Sequence, residues 1–246
     1  MTNYRVFDGH CDTPIELWLQ NQPLRENTLA VSLARAQRLG TWAQFFAFCT
    51  AWVKAKLPRP EIFSRALDNF HAQLRENADK ITLCRTASEA EAAMQYRSMA
   101  AAAQADGVSL TLVAGYQDAD TRQAAYEARV QTYRDKRKSE EEAARLAATI
   151  QPAANANEHG TGYAADILSA DNPQQDTGFA ETRAYEWLTA YAAEYGFILR
   201  YPQDRQAATG IVFEPWHWRY VGVENALAIR ASGLSLEEFI ALQRAD

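Results

Sequence analysis

Two short segments constrain this chain more than anything else in it. Glu158-His159-Gly160-Thr161-Gly162-Tyr163-Ala164-Ala165-Asp166 and Glu214-Pro215-Trp216-His217-Trp218 lie about fifty residues apart and together hold two imidazoles beside several carboxylates. A catalytic zinc ion takes three protein ligands and keeps a fourth position for water, while a nearby carboxylate moves the water's proton. His159, Asp166 and His217 are the candidate ligands, and Glu214 is the candidate base. Any fold for this chain therefore has to carry both segments to one point.

The local chemistry agrees with that demand. Gly160 and Gly162 sit beside His159, where the backbone must turn tightly or let something approach closely. The run Tyr163 to Leu168 reads as a short buried strand with one acidic residue set into it. A carboxylate in such a strand is costly unless it is paired or metal-bound. Trp216, Trp218 and Tyr220 around His217 suit a half-buried strand forming a pocket wall, although such aromatic stripes are more often plain core.

From about Met94 to the C-terminus the chain resembles the VanY-type D-alanyl-D-alanine carboxypeptidases and the related L,D-carboxypeptidases of peptidoglycan metabolism. The likeness runs through Glu158-His159 with Thr161-Gly162 and Asp166, then Phe179 to Thr182 with Trp187-Leu188. It continues in Tyr195 to Pro202, Thr209-Gly210, Glu214 to Gly222 and Gly233 to Glu238. The resemblance implies an α+β domain of the hedgehog/DD-peptidase type with a small, mostly antiparallel sheet. It also implies a zinc peptidase acting on a peptidoglycan stem peptide or precursor, with His159, Asp166 and His217 as ligands and Glu214 as catalytic base. One complete ligand set means one Zn2+ per chain.

Two departures bear on activity. The family's Gly-Tyr-Arg-Ser segment carries an arginine that grips the substrate's terminal carboxylate, whereas this chain has Gly115-Tyr116-Gln117-Asp118, with Gln117 at the arginine's place. A neutral amide does not replace a bidentate guanidinium. Arg122 stands five residues later, where the family usually has glutamine. It is either the relocated clamp or a solvated helix residue in the polar run Asp118 to Arg129. The expected substrate-binding set is therefore Arg122, Gln117, Tyr116 and Trp216. Before the first ligand, Ala154-Asn155-Ala156-Asn157 replaces the usual Pro-Gly-x-Ser; Asn155 tolerates a left-handed backbone and Asn157 retains hydrogen-bonding capacity.

The N-terminal part reads differently. Val6 to Pro14 is a short apolar strand running into His10-Cys11-Asp12, which puts His10 and Asp12 on one face of an extended segment. With Arg25 to Asn27, Val31 to Leu33, Ala43 to Ala47 and Ile81 to Arg85, it resembles the start of the membrane (renal) dipeptidase family, binuclear zinc hydrolases on a β/α barrel. The resemblance stops near Ala93, and a β/α barrel needs about 250 residues to close. The expectation is a truncated βαβα fragment over 1–93 in which His10 and Asp12 are a remnant metal site without dipeptidase activity. His71 falls in the helical pattern Ile62 to Glu76. An alanine-rich helix, Ala87 to Ala105, bridges this fragment to the carboxypeptidase-like domain, 94–246.

Charge and targeting signals bound the remaining classes. Residues 1–93 carry 11 Lys and Arg against 10 Asp and Glu, and the rest carry 14 against 21, so the peptidase-like part is acidic and offers no basic face for nucleic acid. The N-terminus Met1 to Phe7 has no basic segment followed by an apolar stretch, no run reaches a membrane span, and the odd count of three cysteines suits a reducing compartment. A cytoplasmic location is expected, although the family is mostly extracytoplasmic. Strands are expected at 109–113, 163–168, 211–213 and 216–221. Helices are expected at 94–105, 120–133, 139–149 (capping box Ser139/Glu142), 181–195, 223–231 and 235–243. Beside the enzyme reading stand two others, a catalytically impaired cell-wall peptide binder and an inert fusion.

Overall fold

The structure is a computed structural model that describes residues 6–39 and 42–244. Met1 to Arg5, part of the segment read above for a secretory leader, lie outside the described residues. The chain divides into two compact units, Met1–Arg85 and Thr86–Asp246.

In the first unit a strand β1 (Val6–Cys11) leads into helix α1 (Thr13–Gln20), a single turn α2 (Leu33–Ala36), strand β2 (Trp42–Phe46) and helix α3 (Arg59–Glu76). β1 and β2 pair in parallel, Val6 opposite Trp42 and Cys11 opposite Phe46. A parallel pair needs a crossover, and the helical segments between the strands supply it. Cys11, Leu17, Leu24, Val31, Leu33 and Phe70 form the core beneath it. β1 ends at Cys11, and Asp12 sits at the α1 N-cap with φ −91° and ψ 7°. Strand alternation therefore stops one residue short of Asp12, yet its carboxylate still meets His10, with 3.3 Å between Asp12 Oδ2 and His10 Nε2.

In the second unit the alanine-rich helix α4 (Ala87–Ala105) starts on Thr86, whose hydroxyl accepts from Glu89 N. Strand β3 (Thr111–Ala114), helices α5 (Ala119–Asp135) and α6 (Glu140–Ala148), strand β4 (Ala164–Leu168) and helix α7 (Arg183–Tyr191) follow. The chain continues through β5 (Phe197–Leu199), the short α8 (Gln206–Thr209), β6 (His217–Tyr220), α9 (Val223–Ser232) and α10 (Leu236–Gln243). The four strands form one antiparallel sheet in the order β3-β4-β6-β5. All five residues of β4 are buried, as expected of a central strand carrying Ala, Ile and Leu. Trp218 of β6 is fully buried and donates from Nε1 to Pro215 O at 3.1 Å. Trp218→Ala removes one of the largest buried side chains and should lower stability by about 3–5 kcal/mol, measured by chemical denaturation.

The structure departs from the sequence pattern in several places. Residues 211–213 form no strand; Val212 N bonds to Thr149 O, and the edge beside β6 is taken by Phe197–Leu199. Short apolar runs such as these two look alike in sequence. The helix expected over 181–195 is α7 alone. It is capped by Thr182, preceded by a 3-10 turn at Thr177–Glu181 and followed by another at Ala192–Tyr195 that ends on Gly196 with φ 83°. Ser139 caps α6, but the Glu142 carboxylate pairs with Lys138 Nζ at 2.8 Å rather than reaching back to the cap. Ser235 and Glu238 do form a full capping box on α10. Among the described residues, no helix is long and apolar enough to cross a membrane.

Candidate metal centre

Register brings the acidic strand residue to the second histidine. β4 runs antiparallel to β6, and Asp166 is paired directly with His217; on its other side Asp166 faces Ala114 of β3. His159 arrives on a 3-10 turn, Glu158–Thr161, started by Asn157, whose side chain accepts from His159 N at 3.0 Å. Gly162 closes the turn with φ 74°, a backbone that glycine adopts freely. The segment after β3 holds this turn in place. His159 Nδ1 donates to Gly115 O at 2.6 Å, and Gln117 N donates to His159 O at 3.1 Å.

His159, Asp166 and His217 are all buried, and their ligand atoms lie within 4.8 Å of one another; this is the group of His, Cys, Asp or Glu found among the described residues with metal-holding geometry. Each ring is oriented by its far nitrogen. Because His159 Nδ1 is committed to Gly115 O, Nε2 faces Asp166 Oδ1 at 3.4 Å. Because His217 Nε2 donates to Glu158 Oε1 at 2.8 Å, Nδ1 faces the same Asp166 oxygen at 2.9 Å. Metal-ligating histidines characteristically donate their other nitrogen to a carbonyl or carboxylate. Asp166 Oδ2 accepts from Gln175 Nε2 at 2.8 Å, whereas Oδ1 is buried with no hydrogen-bond partner, the close imidazoles lacking hydrogen-bond geometry. Two imidazole nitrogens aimed at one orphaned carboxylate oxygen fit a three-ligand divalent site.

The electrostatics follow from burial and these contacts. Burial disfavours charge on Asp166, but the close imidazoles of His159 and His217 override it and hold its carboxyl well below the usual range. Burial likewise opposes charge on Glu158, yet the His217 hydrogen bond and the charges of His217, Arg219 and Arg200 hold it at about 2. His217 is itself driven up to about 10 by Asp166 and Glu158, against burial. Glu214 goes the other way. It is buried in the turn before β6, with Oε2 3.8 Å from His217 Nδ1, and burial reinforced by Asp166 and Glu158 pushes it up to about 8.

Arg122 stands in the first turn of α5 behind the cap Asp118. Its Nη1 donates to Gln117 O at 2.8 Å, and its guanidinium lies so close over Gly160 that a β-carbon there would collide with it. It is thus not a solvated helix residue; it folds back beside the turn that carries His159. Gln117 and Tyr116 are half-buried next to it, and Trp216 is half-buried against the main core, its carbonyl accepting from Ile167 N. The side chains of His10 and Asp12 pair with each other and Asp8 Oδ1 accepts from His10 N at 3.1 Å, but no group of three metal-ligating side chains forms there among the described residues. Sequence reasoning gave no role to Glu158, Arg200, Arg219 or Gln175. Glu158 adjoins His159 in the motif, and Arg200 and Arg219 fall inside segments that carry the family resemblance, which was the available signal; Gln175 carries none.

The VanY family model, described as D-alanyl-D-alanine carboxypeptidase, matches residues 85–223. A D-alanyl-D-alanine carboxypeptidase of Enterococcus faecalis is 38% identical over 139 residues, covering 56% of this chain and 50% of its own length. A crystal structure of a mutant vancomycin-resistance D,D-pentapeptidase VanY from a VanB-type cassette, in complex with Zn(II), is similar with a TM-score of 0.55 and 33% identity, covering 61% of this chain and 81% of that one. VanYB in complex with D-alanine-D-alanine gives a TM-score of 0.56 and 34% identity over 61% of this chain and 80% of that one. The chain spans about half the length of the curated relatives it matches. With a family match across more than half of its residues, and across both segments that build the site, this chain belongs to the VanY family.

Proposed function

We propose that this protein is a zinc-dependent carboxypeptidase that removes a C-terminal D-alanine from peptidoglycan stem peptides. The observation that carries the reading is the buried His159, Asp166 and His217 triad with Glu214 beside it. His159 through Nε2, Asp166 through Oδ1 and His217 through Nδ1 would hold the ion. Bound there, zinc supplies Lewis acidity toward the scissile carbonyl and lowers the pKa of the attacking water. Glu214 takes the proton from that water and returns it to the leaving amine, a role suited to a carboxyl whose affinity for protons burial has raised. The complex of VanYB with D-alanine-D-alanine supports a D-alanine-terminated substrate. Release of D-alanine from tri-, tetra- and pentapeptide stems by the purified protein tests this; no release from any of them would favour the peptide-binder reading.

Arg122 is the residue we assign to the substrate's terminal carboxylate. Its guanidinium lies against Gly160, next to the first ligand, and its Nε is buried without a hydrogen-bond partner. A charge-assisted hydrogen bond is worth about 1.5–3 kcal/mol, so Arg122→Ala should lower kcat/KM roughly 10- to 150-fold, chiefly through KM. Gln117→Arg should add little to the intact protein. Steady-state kinetics separate the outcomes: a silent Arg122→Ala together with a strongly activated Gln117→Arg would return the clamp to position 117.

For residues 1–93 the reading is the opening of a β/α barrel that does not continue, with residues 94–246 as the peptidase domain. The parallel β1–β2 pair with intervening helices supports it. Among the described residues, His10 and Asp12 then have no third ligand with which to hold a metal.

A further inference from the structure

Behind His217, on the side away from Asp166, four charged side chains are linked in a chain of contacts. Glu158 gives its two oxygens different tasks. Oε1 accepts from His217 Nε2 at 2.8 Å, while Oε2 accepts from Arg200 Nε at 3.1 Å and from Arg219 Nη1 at 3.0 Å. Arg200 reaches outward to Glu237 on α10, with Nη1 to Oε2 at 3.1 Å and Nη2 to Oε1 at 2.5 Å, a two-pronged pair. The Arg200 guanidinium also sits 4.8 Å from the centre of the Tyr201 ring, which lies 4.9 Å from the His217 ring.

The side chains of Arg200 and Glu158 are only 11% and 12% exposed. Removing such charges from water carries a penalty that their mutual attraction often only balances, so stability alone is a weak reason for the arrangement. Orientation is a better one. Without an acceptor at Nε2, the hydrogen bond that selects which edge of the His217 ring faces Asp166 is lost, since rotation about the ring's bond exchanges nitrogen and carbon edges. An acceptor that is itself clamped by two arginines cannot drift.

The geometry points to Glu158 as the positioning residue for His217, and to Glu237 of the last helix as the remote brace that holds Glu158 through Arg200. This inference rests on the reading of His159, Asp166 and His217 as zinc ligands. Glu237 has no contact with the triad, so its influence on the metal travels through Arg200.

The test is the Zn2+ dissociation constant, measured on the full chain by competition with a chromophoric chelator. It is paired with the visible absorption of the Co2+-substituted protein and with circular dichroism of the metal-free forms. Glu158→Gln should weaken Zn2+ binding about 10- to 100-fold and change the Co2+ bands. Glu237→Gln should weaken it roughly three- to tenfold, between an exposed ion pair and a direct outer partner. The double variant should bind no worse than Glu158→Gln alone, because both act along one line. Wild-type protein that holds no zinc would sink the triad reading and this one with it. Wild type that binds zinc, with variants that bind it equally tightly or with effects that multiply in the double variant, would overturn the brace alone. If Glu158→Gln fails to fold, Glu237→Gln carries the test by itself, and unchanged zinc affinity there overturns the proposal.

Discussion

His217→Ala should yield protein with no tightly held zinc and no detectable D-alanine release, while wild type purifies with about one zinc per chain. His217 is the residue on which the site converges: Nδ1 faces Asp166, Nε2 is held by Glu158, and its ring lies edge-on to His159 at 5.0 Å between centres. Removing it leaves two ligands and strips Glu158 of its imidazole partner. Metal analysis by mass spectrometry reads the result directly. His10→Ala is the companion variant and should leave zinc content unchanged, because His10 and Asp12 gather no third ligand among the described residues. About two tightly held zinc ions in wild type, one of them lost with His10, would make the N-terminal pair a working site.

Glu214→Gln should keep both fold and zinc while lowering kcat by at least about a hundredfold, the scale on which a general base contributes. The amide fills the same space without the ability to carry a proton. The substitution is also mild for the metal-free fold, since burial already favours the uncharged carboxyl. A group raised from 4.5 to about 8 on folding makes stability fall as pH rises between those values, because the unfolded chain gives up its proton first. Metal-free Glu214→Gln should therefore be less destabilised than wild type as pH rises from 4.5 to 8, which denaturation at several pH values measures. Loss of zinc with the substitution would instead make Glu214 a ligand.

The histidines and carboxylates of the site were legible because their chemistry is unusual where they stand. An aspartate inside Ala-Ala-Asp-Ile-Leu is conspicuous, and a strand of that composition is easily read. The register that sets Asp166 opposite His217 was not legible, since it depends on pairing between distant segments. For the same reason the contacts among Glu158, Arg200 and Glu237 were not legible: all three lie in segments that carry the family resemblance, but nothing in the sequence pairs them with one another. The order of elements in the first unit was expected from the dipeptidase-like resemblance, with only its first strand and the Ile62 to Glu76 helix read from the residues themselves. The three-residue strand Phe197–Leu199 did not stand out, being shorter than the alternation that marks a strand. Arg122 was left between two readings by the sequence, and its fold onto Gly160 is a matter of side-chain packing that no pattern encodes.

Pairing Asp166 with His217 across a buried central strand has a consequence for how the protein matures. A slip of one residue in that pairing would turn Asp166 to the opposite face of the sheet, so there is no partly correct version of the centre. Its donors come from residues 159, 166 and 217, and closing such long loops is the slow part of forming a sheet. A nascent chain can thus present no finished cation trap until its last strand has docked, which makes metal capture a late event and a marker of completed assembly.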